Sequence, residues 1–286
     1  MPLIGLGRSL LTPNIILGIG TGFTFVIDTT LASGLDFSIT ALMDPNHLAV
    51  ISWGDGTSTN HLGGSANFTQ THTYASDGQY VVSITEKIVS PLHYHSFSAA
   101  PKGMVVDVLK WGDFAGFFMN YTNLNGHISA ADEPDWSGFP AYNLASMFRG
   151  SSITSGVSHW FQETYNGDIA FNMFRSCTAY NEDISGWDTS GFTRFNAMFI
   201  NASSFDQNLG SWNISNITGM SQMIQGSGMS VENYSACLIG WAAQAPNIQN
   251  DVVLTLGPKY TSAAQSARNV LVNDFSWTIN DGGLQT

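Results

Sequence analysis

MFRSCTAYNEDISGWDTSGFTRFNA, residues 173–197, runs directly into MFINASSFDQNLGSWNISNITGMSQ, residues 198–222. The two stretches align at one constant offset, Met173 with Met198 and then Met223, Ile184 with Leu209, Trp187 with Trp212. Self-similarity at a period of roughly 20–50 residues marks a chain of stacked units, each burying its apolar edge only against its neighbours. A stacked unit offers a surface and needs no pocket, so the repeat argues for a binding or structural protein.

Within the unit, Ile184 and Trp187 are expected to face the core. Phe192, Phe195, Met198 and Phe199 fall at i, i+3, i+6 and i+7, the spacing of one side of a short helix. Asn181 and Asp206, and likewise Ser190 and Ser215, stand where turns need side chains that satisfy backbone groups. Such an aromatic and methionine stripe is core far more often than a cofactor pocket. Upstream the pattern loosens. The step from Met147 to Met173 is one longer than the repeat and that from Trp160 to Trp187 two longer. SHWFQETYNGDIAFN (158–172) also matches poorly, which predicts a bulged coil. Downstream, an amphipathic helix over Glu232–Ala243 carries Tyr234, Leu238 and Trp241 on one face, with Ser230 as N-cap. A strand at Asp251–Leu256, a helix from about Ser262 to Asn273 and a strand at Ser276–Asn280 complete a cap that shields the last coil.

N-terminal to the repeats the period shortens to two. Phe23, Phe25 and Ile27 alternate with their neighbours, as do Phe37 and Ile39, then Val82 and Ile84. Turn clusters separate them at Asp44-Pro45-Asn46, Gly54-Asp55-Gly56 and Asp77-Gly78. Short strands at this spacing predict a small sandwich. Val105–Leu109 reads as a buried strand ending at Trp111.

Two resemblances follow. Ile51-Ser52-Trp53-Gly54-Asp55-Gly56-Thr57, His72-Thr73-Tyr74 and Gly78-Gln79-Tyr80-Val81-Val82-Ser83-Ile84 resemble the PKD-type immunoglobulin-like domain, with its WGDGT-like turn, HTY and G-x-Y-x-V strand. The aromatic residues would fill the core, and the Asp55 carboxylate would cap backbone N–H groups in its turn rather than hold a metal. From about residue 103, VVDVLKWGDF, NLNGHISAADEPD, NEDISGWDTSGFTRFNAMF and the terminal NYSACLIGWAAQ and LTLGPKYTSAAQSARNVLVNDFSWTINDGG resemble the BspA-like leucine-rich-repeat surface proteins. That resemblance implies a right-handed solenoid of strand, turn and helical segment. The expected fold is mainly β with short helices, in four parts: an apolar N-terminal arm (1–21), an Ig-like β-sandwich (22–100), a short leucine-rich-repeat-type solenoid (101–229) and an α/β C-terminal cap (230–286).

Composition bounds the function. The chain of 286 residues is 43% hydrophobic but only 10% charged, where soluble domains carry about 25% charge. Ser, Thr, Asn and 29 Gly supply the missing polarity, a mix suited to β-rich extracellular and virion surfaces. Nine Lys and Arg against 21 Asp and Glu give a net charge of −12, which disfavours nucleic acid and anionic membranes as partners. No run of apolar residues is long enough to span a bilayer. The opening MPLIGLGRSLLTPNIILGIGTGF makes a poor signal peptide, with Arg8 its only base and Pro13-Asn14 breaking the apolar run.

Cys177 and Cys237 lack metal spacing and read as two buried small hydrophobes. His93 and His95 would share a strand face but have no third ligand nearby. There is no GxSxG, HExxH, P-loop or dinucleotide fingerprint. The acidic pairs Glu182-Asp183 and Asp132-Glu133 suit glycosidase chemistry poorly, because adjacent carboxylates diverge on a strand. Six N-x-S/T sequons, at Asn67, Asn120, Asn201, Asn213, Asn216 and Asn233, are what such a composition produces by chance. No catalytic, cofactor or metal residues are assigned and no cofactor is expected.

The expected function is non-enzymatic: a phage virion component (fibre, decoration or receptor-binding protein) that binds a host-surface glycan or protein. Its arm would dock on other virion proteins. The alternative is a secreted or cell-surface bacterial adhesin, and a remote one is a glycan-active enzyme. No heptads encode a coiled-coil trimer, and a homo-oligomer stays open.

Overall fold

A computed structural model describes residues 22–41, 48–62, 68–87, 95–100, 103–111, 117–119, 124–132, 142–162 and 167–286. The arm, the Asp44-Pro45-Asn46 turn and His93 lie outside the described residues. The architecture is mainly β, with two short α-helices.

The first half holds β1 (Phe23–Asp28), β2 (Asp36–Ala41), β3 (Leu48–Ser52), β4 (Ser58–Leu62), β5 (Phe68–Thr73), β6 (Gln79–Lys87), β7 (His95–Ala100), β8 (Val105–Lys110), β9 (Phe117–Met119) and β10 (His127–Ile128). They form a six-stranded sheet in the order β10-β8-β1-β6-β3-β4 and a four-stranded sheet in the order β5-β2-β7-β9. β1 is flanked by antiparallel β6 and β8. It is covered on both faces, so even Thr24 is buried. Phe25 on one sheet meets Phe37 on the other with ring centroids 6.1 Å apart. Trp53 and Tyr74 are buried as the sequence predicts, the tyrosine hydroxyl donating to the Trp53 carbonyl at 2.9 Å. β8 lies past the boundary expected at residue 100, yet it pairs with β1 and accepts β10 in parallel on its other edge. The coils that follow therefore grow out of the edge of the six-stranded sheet.

Beyond β11 (Tyr142–Asn143) and its parallel partner β12 (Gly167–Ile169), most of the coil backbone is neither strand nor helix, yet its hydrogen bonds are accounted for. Ser146, Phe148 and Gly150 donate N–H groups to the carbonyls of Phe171, Met173 and Arg175 in the next coil, at 2.8–2.9 Å. Asn172, Phe174 and Ser176 donate in turn to Asn196, Met198 and Ile200, and Ala197, Phe199 and Asn201 to Ser221, Met223 and Gln225. The intervening N–H groups, such as those of Met173, Arg175 and Cys177, bond three residues back to Ala170, Asn172 and Phe174. Alternate peptides thus serve the neighbouring coil and the turn within the coil.

This arrangement corrects the expected helical segment. Ser146, Asn172, Ala197 and Gln222 have φ of 57–64°, and Gly150, Ser176, Asn201 and Gly226, four residues later, have φ of 57–73°. Left-handed residues at both ends of each run cannot belong to a right-handed α-helix. Phe195, Met198 and Phe199 are buried by successive turns instead. The ladder keeps its register across the longer step from Met147 to Met173, so the additional residues of that coil fall outside it.

Buried rings are stacked in columns through the coils. Phe148, Phe174 and Phe199 follow one another at 5.4 and 5.6 Å, and Trp187 and Trp212 lie parallel at 6.0 Å. Three indole N–H groups reach the preceding coil: Trp187 donates to Val157, Trp212 to Ile184 and Trp241 to Leu209, all at 2.9 Å.

The C-terminal elements are α1 (Val231–Ala242), β13 (Val253–Thr255), α2 (Gln265–Asp274) and β14 (Thr278–Asn280). They agree with the sequence reading in order and type. The Ser230 hydroxyl accepts the Asn233 N–H at 3.2 Å as the α1 N-cap. β13 takes the Met220 N–H on its Val253 carbonyl and pairs in parallel with β14. Helix α1 lies backbone to backbone on the preceding coil: a Cβ added at Gly240 would sit 2.2 Å from the Gly210 carbonyl oxygen. Glycine to alanine normally stabilises a helix interior by up to about 1 kcal/mol. Gly240→Ala is expected to do the reverse, costing about 1–3 kcal/mol by urea denaturation, because a backbone carbonyl must move.

Candidate functional site

Two lateral sides of the coil stack differ in chemistry. On the first, short polar side chains are consumed in holding the turns. Asp183 and Asn208 accept the N–H groups of Ser185 and Gly210 at 2.9 Å, and Asp188 and Asn213 do the same for Ser190 and Ser215 at 2.9 and 3.0 Å. The members of each pair stand one repeat apart. Ser190 and Ser215, expected to satisfy these turns with their side chains, supply the N–H instead; the acceptors stand two residues earlier. Asn181 Oδ1 accepts the Asp206 N–H, and Asp206 Oδ1 accepts from the N–H and hydroxyl of Ser230, as expected of turn-holding groups. Partial burial of Asp206 opposes ionisation, but the bonds from Ser230 and Asn233 outweigh it and lower its pKa.

Exposed side chains on this side also stitch coil to coil. Ser211 donates to the Ser185 carbonyl at 2.9 Å, Asn216 to Ser190 at 2.7 Å and Gln249 to Ser215 at 2.6 Å. The acidic groups weighed for catalysis are anchors too. Glu182 Oε2 accepts the N–H groups of Gly156 and Val157, both at 2.9 Å, and the Asp132 carboxylate accepts that of Trp111 at 3.0 and 3.1 Å. Glu133 lies outside the described residues.

The second side carries the backbone ladder. Its four runs, residues 144–154, 170–180, 194–205 and 219–230, contain none of the 21 acidic residues and three of the nine basic ones, Arg149, Arg175 and Arg194. The acids that flank the second run, Asp168 and Glu182, fall outside it. Gly150 N–H donates to the Arg175 carbonyl at 2.8 Å, so Arg149 and Arg175 stand on successive coils beside one another. Arg149 is exposed and Arg175 half-buried, its guanidinium donating to Asn172 Oδ1 at 3.3 Å. Phe171, on the same run as Arg175, is 41% exposed.

Away from the stack, Asp55 holds its turn as predicted, accepting the N–H and the hydroxyl of Thr57 at 2.9 and 2.6 Å. It also meets His72 Nε2 on β5 at 2.7 Å, a contact from turn to strand that the sequence did not disclose. The imidazole stacks on Trp53, with centroids 4.9 Å apart and planes 9° from parallel. Slight burial opposes ionisation of Asp55, but the Thr57 bonds and His72 outweigh it and hold its pKa at about 2. A depressed carboxylate pKa stabilises the fold above the unfolded value of 3.8 and ceases to do so as pH falls through about 2. Wild type should therefore lose more thermal stability than Asp55→Asn between these pH values, a difference absent near neutrality.

Cys177 and Cys237 are buried free thiols. Burial pushes them up to about 11 and about 12, and Cys237 Sγ accepts the Leu209 N–H at 3.1 Å. Tyr180 is fully buried, stacked between Phe174 at 4.2 Å and Phe205 at 5.9 Å. Its hydroxyl has no hydrogen-bond partner among the described residues. Phe205 is its counterpart one period on. Tyr180→Phe is accordingly expected to leave stability unchanged or raise it by about 1 kcal/mol in urea melts.

Among the described residues no helix is long and apolar enough to cross a membrane. Geometry thus defines a mainly β protein whose coils are joined edge to edge by backbone hydrogen bonds. Residues 112–237 match the family described as Mycoplasma protein of unknown function, DUF285. Neither the curated proteins nor the solved structures gave a match.

Proposed function

We propose that this chain is a non-enzymatic recognition protein of an exterior surface, a virion fibre, decoration or receptor-binding component that holds a host-surface glycan or protein against the side of its coils. In this reading the two facing sheets are an Ig-like sandwich of the PKD type, and the coils are a short solenoid resembling the BspA-like repeats. The observation that carries it is the closure of the stack at both ends. The six-stranded sheet covers one end through β10, while α1 and β13 cover the other, leaving the lateral sides as the reading surface. Weak single contacts would be multiplied by many copies.

A bacterial cell-surface adhesin is the second reading, favoured by the match of residues 112–237 to a Mycoplasma family. Purification from its native source, with mass spectrometry of the N-terminus, separates the two. Recovery with capsids or tails supports the virion. Recovery on cells or in the medium supports the adhesin. Failure of the purified chain to bind any host cell surface, even when multimerised, would overturn recognition itself.

A further inference from the structure

We infer that Arg149 and Arg175 form a binding site for a carboxylated surface polysaccharide, one that takes sugar carboxylates on paired guanidiniums. The inference rests on the recognition reading and names its ligand class. In a chain of net charge −12, the four ladder runs carry three arginines and no acid. None of the ion pairs among the described residues engages Arg149 or Arg175. The ladder bond from Gly150 to Arg175 fixes the two residues on adjacent coils. Like charges held side by side repel, and a bound anion relieves that repulsion.

The ligand class follows from shape as well as charge. Guanidinium forks match carboxylates with two parallel hydrogen bonds, which a lysine cannot do. The surrounding negative field would steer a polyanion away from the rest of the molecule and towards this strip. Phe171, exposed on the same run as Arg175, offers an aromatic face to the C–H side of a sugar ring, a contact that a free inorganic anion would not use. The polar side chains around the turns are largely occupied in holding them or the neighbouring coil, so they compete poorly for the role.

The test is binding of the full chain to immobilised polygalacturonic acid, polysialic acid and neutral dextran at low and high salt. At least one acidic polymer should bind, more weakly as salt rises, and dextran should not. Arg149→Gln with Arg175→Gln should weaken binding by about tenfold to a hundredfold. Arg149→Lys with Arg175→Lys, which retains the charge, should retain the salt dependence at lower affinity. Phe171→Ala should weaken the polymer further. Unchanged binding in the double glutamine variant overturns the site, as does binding of inorganic phosphate at the arginines with no acidic polymer bound. Binding to host cells that survives in that variant refutes this inference and leaves recognition standing; no binding to cells or polymers refutes both.

Discussion

Trp212→Ala is expected to cost about 3–5 kcal/mol in urea denaturation, near the top of the range for a single core substitution. Trp212 is fully buried, parallel to Trp187 at 6.0 Å and tilted against Phe195 at 4.9 Å. Its removal opens a cavity between two coils and takes the indole N–H at 2.9 Å from the Ile184 carbonyl, which keeps only the Trp187 N–H at 3.2 Å. Trp212→Phe separates the two losses: much of the ring volume is kept and only the indole bond is lost, for about 0.5–1.5 kcal/mol. Because each coil meets only its neighbours, hydrogen exchange should accelerate first between residues 173 and 223 and later in the sheets. A change below about 1 kcal/mol for the alanine variant would show that the tryptophan column does not hold the coils together.

Breaking the Arg268–Asp281 pair should be comparably severe. The Asp281 side chain is only 2% exposed and accepts from Arg268 Nε at 2.9 Å, the Tyr234 hydroxyl at 3.1 Å and the Gly283 N–H at 3.1 Å. Arg268 also donates to the Ile279 carbonyl at 3.0 Å and lies over the Tyr260 ring at 5.2 Å. The pair ties α1, α2 and the end of β14 into one unit. Asp281→Ala leaves a largely enclosed guanidinium without its counter-charge, expected to cost about 3–5 kcal/mol. Replacing both partners by apolar residues of similar volume should recover most of that loss, since it also removes the desolvation penalty. Thermal melts of the two variants check the contrast; equal losses would mean that packing, not the unpaired charge, dominates.

The parts legible in the sequence are those fixed by local pattern. The repeat period, the Trp187 and Trp212 column, the alternation around Phe25 and Ile27 and the Ser230 cap each depend on residues close in sequence or on simple recurrence. The turn ribbon was not legible. Its apolar spacing coincides with that of a helix, and six of its eight left-handed positions, Asn172, Ala197, Asn201 and Gln222 among them, hold residues other than glycine, so Gly150 and Gly226 alone do not mark the departure. The ladder between coils overrides their local preference. Asp183 and Asp188 sit two residues before the groups they cap, a relation a repeat alignment does not reveal. His72 on Asp55 and Arg268 on Asp281 join elements that only the folded chain brings together. The charge count over the whole chain also hides the acid-free runs, because the acids of the repeat units lie between those runs in the sequence.

The alternating use of peptide groups along the ladder makes every coil interchangeable at its borders. Along the ladder, runs 144–154, 170–180 and 194–205 present alternate N–H groups to the unit ahead, and runs 170–180, 194–205 and 219–230 present alternate carbonyls to the unit behind. A whole repeat could be excised or copied with the ladder edge of either new neighbour unchanged, because in such a stack each unit rests chiefly on its neighbours. Length is then a counted quantity. A lineage could lengthen or shorten its reading surface in whole steps by gene duplication or deletion, while both closures stayed as they are.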